Sequence, residues 1–332
     1  MKAMIMAAGI GTRLMPMTAM VPKPMISLCN RPLMENSIAL LQQHGFDQIV
    51  ANLYYLGETI SGYFGDGSGY QVDLHYSWED VLMGTAGGVR RCADFLDQTF
   101  VVLSGDALTD IDLGQLLQRH RASGALASIA LKPVEEVEKF GVVVLDEAER
   151  VCSFQEKPER SVAMSNLANT GIYIFEPEIF SFIPPHEFYD FGKQVFPNLV
   201  QAGVPFYGFC IEDYWCDIGS LDVYRQAHDD VLRDRVRFEP RGELLRYAEG
   251  ILLLGEDAGL GREVEIRGSV SIGSGTGIGD GVWLEDVVIW NDSAVDSGSR
   301  ISRSIVGSNC RIRRDTIIKE DNAIRSGSVL GG

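Results

Sequence analysis

The sequence predicts two architectures in one chain: an α/β, doubly wound domain over residues 1–236, and a parallel β-helix of hexapeptide repeats over residues 250–332. Three observations carry this reading. Short, densely apolar runs alternate with amphipathic helical stretches as far as Val236. From about Glu249 helical periodicity ends, glycine becomes dense, and lysine is confined to Lys319. In that same region small apolar residues recur every sixth position, most clearly at Val306, Ile312, Ile318, Ile324 and Leu330.

The elements follow in order. Ala3–Ala8, Ile49–Leu53, Phe100–Leu103, Ala127–Leu131, Gly141–Leu145 and Ile172–Phe175 are rich in Val, Ile, Leu or Phe and read as strands. Apolar residues at nearly every position suggest a parallel sheet covered on both faces. Leu33–His44, Leu113–Ala122 and Leu221–Leu232 carry the spacing of amphipathic helices. Strands alternating with helices make an α/β domain. The shorter six-residue runs Ile272 and Ile278, then Ile289, Val295 and Ile301, place one branched residue on each short strand of a prism.

Composition narrows the function. The 332 residues carry a net charge of -17, from 46 acidic and 29 basic groups. Nucleic acid and anionic membrane surfaces both require clustered positive charge, so neither is an expected partner. No run approaches the length of a membrane span, and the short apolar start runs into turn chemistry instead of a cleavage site. Cys29, Cys92, Cys152, Cys210, Cys216 and Cys310 form no C-x-x-C and read as scattered thiols. A cytoplasmic location is the expectation. The acidity is concentrated in residues 1–235, with 17 basic against 31 acidic groups, a balance of -14. A phosphorylated ligand would meet an opposing field there, so placed cations, backbone donors and a metal are the features to seek.

They occur at the start of the chain. After the first strand comes Gly9-Ile10-Gly11-Thr12-Arg13-Leu14, then Pro22-Lys23-Pro24. A glycine turn at a strand's C-terminal end lets N–H groups converge on an oxyanion. Two familiar phosphate loops are excluded: Leu14 stands where a dinucleotide fold needs its third Gly, and no Gly-Lys-Ser/Thr exists. Pro16, Pro22 and Pro24 resist helix and predict an extended loop carrying Arg13 and Lys23 over a ligand.

This pattern resembles the G-x-G-T-R…P-K-P signature of the sugar-phosphate nucleotidyltransferases. The likeness continues through Gly84-Thr85-Ala86-Gly87-Gly88, Ser104-Gly105-Asp106, Phe140-Gly141-Val142-Val143, Glu156-Lys157-Pro158, Asn169-Thr170-Gly171-Ile172-Tyr173 and Trp215-Cys216-Asp217-Ile218-Gly219, in the family's order. It implies a Rossmann-like nucleotidyltransferase domain with a C-terminal left-handed β-helix. Within the family the chain is most similar to bacterial mannose-1-phosphate guanylyltransferases.

The resemblance also implies roles. The nucleoside triphosphate, GTP by preference, would lie on Ala7, Ala8, Gly9, Gly11, Thr12, Arg13, Lys23, Gly84, Thr85 and Ala86. The sugar 1-phosphate would lie on Gly141, Glu156, Lys157, Asn169 and Gly171. Mg²⁺ would be held by Asp106 and Asp217, which with Arg13 and Lys23 form the catalytic set. Read from the residues alone, Asp106 and Asp217 could equally be a turn residue and a helix cap, and Glu156 with Lys157 a surface ion pair. Asp112 reads as the cap of Leu113–Ala122. Asn52 and Glu79 are further candidates near the base. Trp215 and Tyr173 read as core aromatics before stacking groups.

Other readings stay open. UTP or dTTP with glucose 1-phosphate is the same chemistry. A non-catalytic regulatory subunit would not require Arg13, Lys23, Asp106, Lys157 and Asp217 together. An acyltransferase of the β-helix type needs a histidine base, yet His44, His75, His120, His186 and His228 all precede the β-helix. The β-helix is therefore expected to serve oligomerisation or regulation, and a homo-oligomer is expected.

Overall fold

The computed structural model describes residues 1–319 and 322–331; Glu320, Asp321 and Gly332, part of the predicted repeat region, lie outside the described residues. The chain forms two compact units. One comprises Met1–Gly9 and Ser37–Trp215, the other Ile10–Asn36 and Cys216–Gly332.

The first unit is built on a mixed sheet. Asp73–Trp78, Gln48–Leu53, Lys2–Met6 and Phe100–Ser104 lie side by side and parallel. Leu167–Phe175 then runs antiparallel to Phe100–Ser104, Ala127–Pro133 antiparallel to it in turn, and Phe206–Cys210 parallel to Ala127–Pro133. Gly141–Leu145 and Val151–Glu156 form an antiparallel pair that attaches to the start of Leu167–Phe175. The expected all-parallel sheet is thus corrected to a mixed one. Continuous apolar character reports burial on both faces, which a central strand has in either direction. The central residues Met4, Val102 and Ile174 are fully buried. The helices Leu33–Gln43 and Leu113–Ser123 appear within a residue of expectation. Asp112 caps the latter by accepting from the Gln115 N–H at 2.9 Å.

Leu167–Phe175 changes partners along its length. Leu167–Asn169 pairs with Leu131–Pro133, while Tyr173–Phe175 pairs with Ala127–Ile129, and the register shifts between Asn169 and Tyr173. Gly171 sits in this bulge with φ +75°, a backbone conformation glycine adopts without steric cost.

In the second unit, residues 250–319 and 322–331 form three parallel ladders of five, five and four strands. Such a three-faced parallel β-helix is consistent with the left-handed form expected. Ile272 pairs with Ile289, Ile289 with Val306, and Val306 with Ile324. Successive coils therefore take 17, 17 and 18 residues (289 − 272, 306 − 289, 324 − 306). Three six-residue steps would take eighteen, so two coils are one short. The short step falls at one corner, Leu284 to Ile289 and Ile301 to Val306, and this is why the sequence rhythm breaks there. The inward residues form one apolar core that includes Leu284, Ile289, Ile301, Val306 and Ile312. Glu243–Arg246 runs antiparallel along Gly250–Leu254 and covers the first edge.

The helix Leu221–Leu232 of this unit carries a buried polar chain. The Trp290 Nε1–H donates to the Tyr224 hydroxyl at 2.9 Å, and that hydroxyl donates to the Ser27 carbonyl. His228 Nε2 lies 3.2 Å from the same carbonyl, and His228 Nδ1 lies 3.5 Å from Cys29 Sγ. One tautomer satisfies every contact: Nε2–H donates to Ser27, and Nδ1 accepts from the thiol. Burial pushes the Cys29 thiol up, keeping it protonated as this tautomer requires.

Burial also pushes the His228 pKa down, from its ordinary 6.5 to about 3. Between these values the unfolded chain binds a proton that the folded one excludes. Stability is therefore full above pH 6.5 and falls as the pH drops toward 3, by ~1.4 kcal/mol per pH unit for this one group. Urea midpoints between pH 7.5 and 5 are expected to fall more steeply for the wild type than for His228→Gln; equal slopes would remove His228 as the cause.

Candidate active site

Three loops leave the C-terminal ends of adjacent parallel strands in the first unit, where ligands bind in open α/β sheets. A buried relay ties them. The Ala7 N–H donates to Asn52 Oδ1 at 2.9 Å, Asn52 Nδ2 donates to Glu79 Oε1 at 2.7 Å, and the Met83 N–H donates to Glu79 Oε2 at 3.0 Å. Asn52 and Glu79 are 4% and 6% exposed, so these bonds replace lost water. The relay leaves Ala7, Ala8 and Gly9 in a turn past the strand, which ends at Met6 and not at Ala8 as expected.

The glycine segment Gly84–Gly88 opens the helix Gly84–Arg91. Its glycines are sterically required. A Cβ on Gly88 would lie 2.7 Å from Asn52 Nδ2, and one on Gly84 would lie 2.5 Å from the Tyr189 carbonyl oxygen. The Ala86 and Gly87 N–H groups both donate to that carbonyl at 3.0 Å. Thr85 Oγ1 donates to Asp190 Oδ2 at 3.0 Å and accepts from the Phe191 N–H at 2.9 Å. Thr85 is thus partly consumed in structure. The Tyr189–Lys193 segment escaped sequence reading, because its signal is one capping residue: Asp190 Oδ1 accepts from the Gly192 and Lys193 N–H groups.

Glu156 ends the strand Val151–Glu156. Its Oε2 would stand 3.0 Å from a Cβ on Gly141 and 2.7 Å from one on Gly192, so both glycines seat this carboxyl. The residue is exposed overall. Desolvation pushes its pKa up, with Asp190 adding to the rise and Lys157 and Lys193 opposing it. Lys157 adopts φ +46°, a conformation rare outside glycine, and its N–H donates to the Phe140 carbonyl at 3.1 Å.

At the bulge, the Gly171 N–H donates to Asn169 Oδ1 at 2.9 Å and Asn169 Nδ2 donates to the Tyr173 hydroxyl at 3.0 Å. Asp106 follows the strand Phe100–Ser104, and its Oδ1 accepts from Ser104 Oγ at 2.6 Å. Tyr173 contacts Phe175, Phe191 and Phe196 through its ring, the core aromatic it was read to be. The Trp215 indole N–H donates to the Thr170 carbonyl at 2.9 Å, a framework contact.

The second unit holds the remaining predicted residues. Gly11 has φ +70°, and its carbonyl accepts from Thr18 Oγ1 at 2.8 Å. A Cβ on Gly11 would meet that of Lys23 at 2.9 Å. The proline segment is not the extended loop expected: it winds into single 3₁₀ turns at Thr12–Leu14, Met17–Ala19 and Lys23–Met25. Proline fits the first positions of such turns, where its fixed φ is suitable and its missing donor is not needed. Lys23 is buried, and its Nζ lies 3.6 Å from Asp217 Oδ1; Arg13 Nη2 lies 4.0 Å from Asp217 Oδ2, on a side chain 65% exposed. A Cβ on Gly219 would stand 2.8 Å from Arg13 Nη1, so Gly219 makes room for the guanidinium. Asp217 is not the cap of Leu221–Leu232: Ser220 is, accepting from the Val223 N–H.

The donor chemistry fits a hard divalent cation. Asp106 in the first unit and Asp217 in the second each offer carboxylate oxygens of the type Mg²⁺ combines with phosphate and water. Among the described residues no group of three or more His, Cys, Asp or Glu side chains forms a self-contained metal centre.

Gly171→Ala is expected to cost about 1–3 kcal/mol, because φ +75° is strained for alanine and its Cβ would lie 2.9 Å from that of Ser104. Gly203→Ala has a similar φ of +64° in open space and serves as the comparison. Denaturant midpoints should fall further for the first; equal losses would show that Ser104 exerts no pressure there.

The family model described as Nucleotidyl transferase matches residues 2–234, and that of the GMPPB C-terminal domain matches residues 248–332. A UTP–glucose-1-phosphate uridylyltransferase of Synechocystis sp. is 45% identical over 251 residues, 71% of this chain and 65% of that protein. The match thus spans slightly less than two thirds of the relative. A mannose-1-phosphate guanylyltransferase of Mycobacterium tuberculosis is 31% identical over 313 residues, 91% of this chain and 83% of that one. A putative glucose-1-phosphate thymidylyltransferase structure from Bacillus anthracis superposes with TM-score 0.63 at 23% identity, over 72% of this chain and 97% of that chain. HddC from Yersinia pseudotuberculosis, solved with GMP-PN, does so with TM-score 0.60 at 23% identity, over 69% and 99% of the two chains.

Proposed function

The chain belongs to the nucleotidyl transferase family, and from that premise we propose that it joins a sugar 1-phosphate to a nucleoside triphosphate with release of pyrophosphate. GTP with mannose 1-phosphate is the first pair. An oxygen of the sugar phosphate attacks the α-phosphorus in line, the α–β bridging bond breaks, and its electrons leave with pyrophosphate. No protein nucleophile is needed; positioning and charge neutralisation suffice.

The observation that carries the reading is the pairing of Lys23 and Arg13 with Asp217. In a chain of net charge -17, this arrangement presents two cations where the signature turn supplies backbone donors. Lys23 and Arg13 take the triphosphate oxygens, Arg13 with the geometry of a fork. Gly11 and Thr12 add main-chain donors, and Ala7, Ala8, Gly9, Gly84, Thr85 and Ala86 form the nucleoside side. Glu156 and Asn169 take sugar hydroxyls, Gly141 and Gly171 offer backbone, and Lys157 takes the sugar phosphate. Asp106 and Asp217 are assigned to Mg²⁺, which when bound supplies Lewis acidity toward the α-phosphate. A regulatory subunit without catalysis would not need this set. Residues 1–236 and 250–332 are read as two inherited modules, supported by the extents of the two family models. Self-association through the β-helix completes the reading.

A second pair, UTP with glucose 1-phosphate, is supported by the 45% identity to the Synechocystis enzyme. Guanine O6 and N1–H present the same acceptor–donor pair as uracil O4 and N3–H. Loop backbone that reads this pair accepts both, and the third edge position decides.

Pyrophosphate release measured for GTP, UTP and dTTP, each against mannose 1-phosphate and glucose 1-phosphate, tests the pairing. GTP with mannose 1-phosphate should be among the best pairs; a preference for UTP with glucose 1-phosphate would select the second reading. Asp217→Ala should keep the fold by circular dichroism and lose at least ~10²-fold in Mg²⁺-dependent turnover. Near-normal turnover would remove Asp217 from the metal.

A further inference from the structure

We propose that the β-helix takes part in triphosphate binding: Trp290 and Tyr224 are positioning residues that fix the segment bearing Lys23 and Arg13. This rests on the reading of those two cations as the triphosphate's ligands.

Ile10–Asn36 belongs to the same compact unit as the β-helix. Alternation on the coil sends Ile289 into the prism, so Trp290 points outward. It is nevertheless only 5% exposed. Its outer face is covered, and its indole N–H meets the Tyr224 hydroxyl at 2.9 Å. That hydroxyl, 1% exposed as a residue, passes its own proton to the Ser27 carbonyl, which His228 also approaches at 3.2 Å. Both lone pairs of Ser27 are thereby engaged by groups on one helix. One residue earlier, the Ile26 N–H donates to the Lys23 carbonyl at 3.2 Å, closing the 3₁₀ turn that sets the lysine. The path from coil to lysine runs by hydrogen bonds from Trp290 through Tyr224 to Ser27, and by the peptide link to Ile26 into the turn that begins at Lys23.

A second tether independently reaches the hairpin in which Ser27–Leu28 pairs antiparallel with Arg31–Pro32. Asn30, in the left-handed conformation at φ +66°, donates from Nδ2 to the Ile272 carbonyl at 3.0 Å, on the first face of the β-helix. The same amide donates to the Arg241 carbonyl at 3.1 Å, and the Arg241 N–H donates to the Cys29 carbonyl at 3.1 Å. A fully buried Glu35 accepts from Arg31 at 2.5 Å and from Arg241 at 3.3 Å, closing the base of the hairpin. A coil that served assembly alone would need none of these contacts with the signature segment.

The test compares Trp290→Phe, Tyr224→Phe and Asn30→Gly with Lys23→Ala in the full chain. Trp290→Phe and Tyr224→Phe each delete one polar atom and keep a ring; glycine keeps the left-handed backbone at position 30 and removes its amide. KM values for GTP, UTP and each sugar 1-phosphate are measured alongside melting temperature. A raised nucleotide KM, by about three- to tenfold, is expected for the three anchor variants. The sugar 1-phosphate KM should stay within about twofold of wild type. Should Tyr224→Phe fail to fold, Trp290→Phe carries the test. If Lys23→Ala raises the nucleotide KM while the anchor variants lower only the melting temperature, or move both KM values equally, the inference is overturned and the reading of Lys23 stands. If Lys23→Ala itself leaves the nucleotide KM unchanged, the reading of the triphosphate cations falls.

Discussion

A buried lysine facing a carboxylate is the interaction on which the proposed phosphate chemistry depends. Buried charged groups are found paired, and Lys23 Nζ lies 3.6 Å from Asp217 Oδ1. That requirement explains the local backbone. Gly11 takes a left-handed turn and leaves no side chain, because a Cβ would crowd the lysine stem. Gly219 stays bare so that the arginine can share the carboxylate. Short proline-bearing turns then hold the lysine where a flexible loop would let it swing toward bulk water. The chain's net charge of -17 opposes a polyanion, and local concentration of positive charge offsets it.

The first unit solves a different problem with the same economy. Three strand ends must present backbone to a ligand without leaving buried polar atoms unpaired. Asn52 and Glu79 answer this by spending their side chains on main-chain N–H groups and on each other. In the proposed reading they frame the nucleoside side through the backbone they hold. Two strands away from Lys2–Met6, the register shift after Asn169 in Leu167–Phe175 takes Thr170 and Gly171 out of pairing with Ala127–Pro133. A strand in perfect register would bind them to its neighbours.

Much of this was legible in the residues. Every strand expected from apolar density is present, and Leu221–Leu232 matches residue for residue, since amphipathic spacing marks its face; its cap, Ser220, came from the structure. Among the strands left unread, Asp73–Trp78 lies at the sheet edge with only Leu74 buried and so lacks the apolar density of a central strand. Strand direction was not legible either, because burial on two faces is the same for both senses. Most of the signature glycines have a steric reason that Ala would violate, Gly11, Gly84, Gly88, Gly141, Gly171 and Gly219 among them, whereas Gly9 has open space around it. The Tyr189–Lys193 support and the Trp290–Tyr224–Ser27 chain carry no local motif; they join residues 66 and 197 positions apart in sequence, and only the folded chain brings them together.

The shortened corner of the coils has an evolutionary consequence. Each turn of the prism closes on itself, so a turn of 17 residues can follow or precede one of 18 without displacing the inward columns on either side. Single-residue insertions and deletions at Asp286 or Arg303, where the backbone is left-handed, are thereby confined to one turn. Lineages can vary the outer profile of this domain corner by corner, exploring new surfaces while the apolar column inside is inherited unchanged.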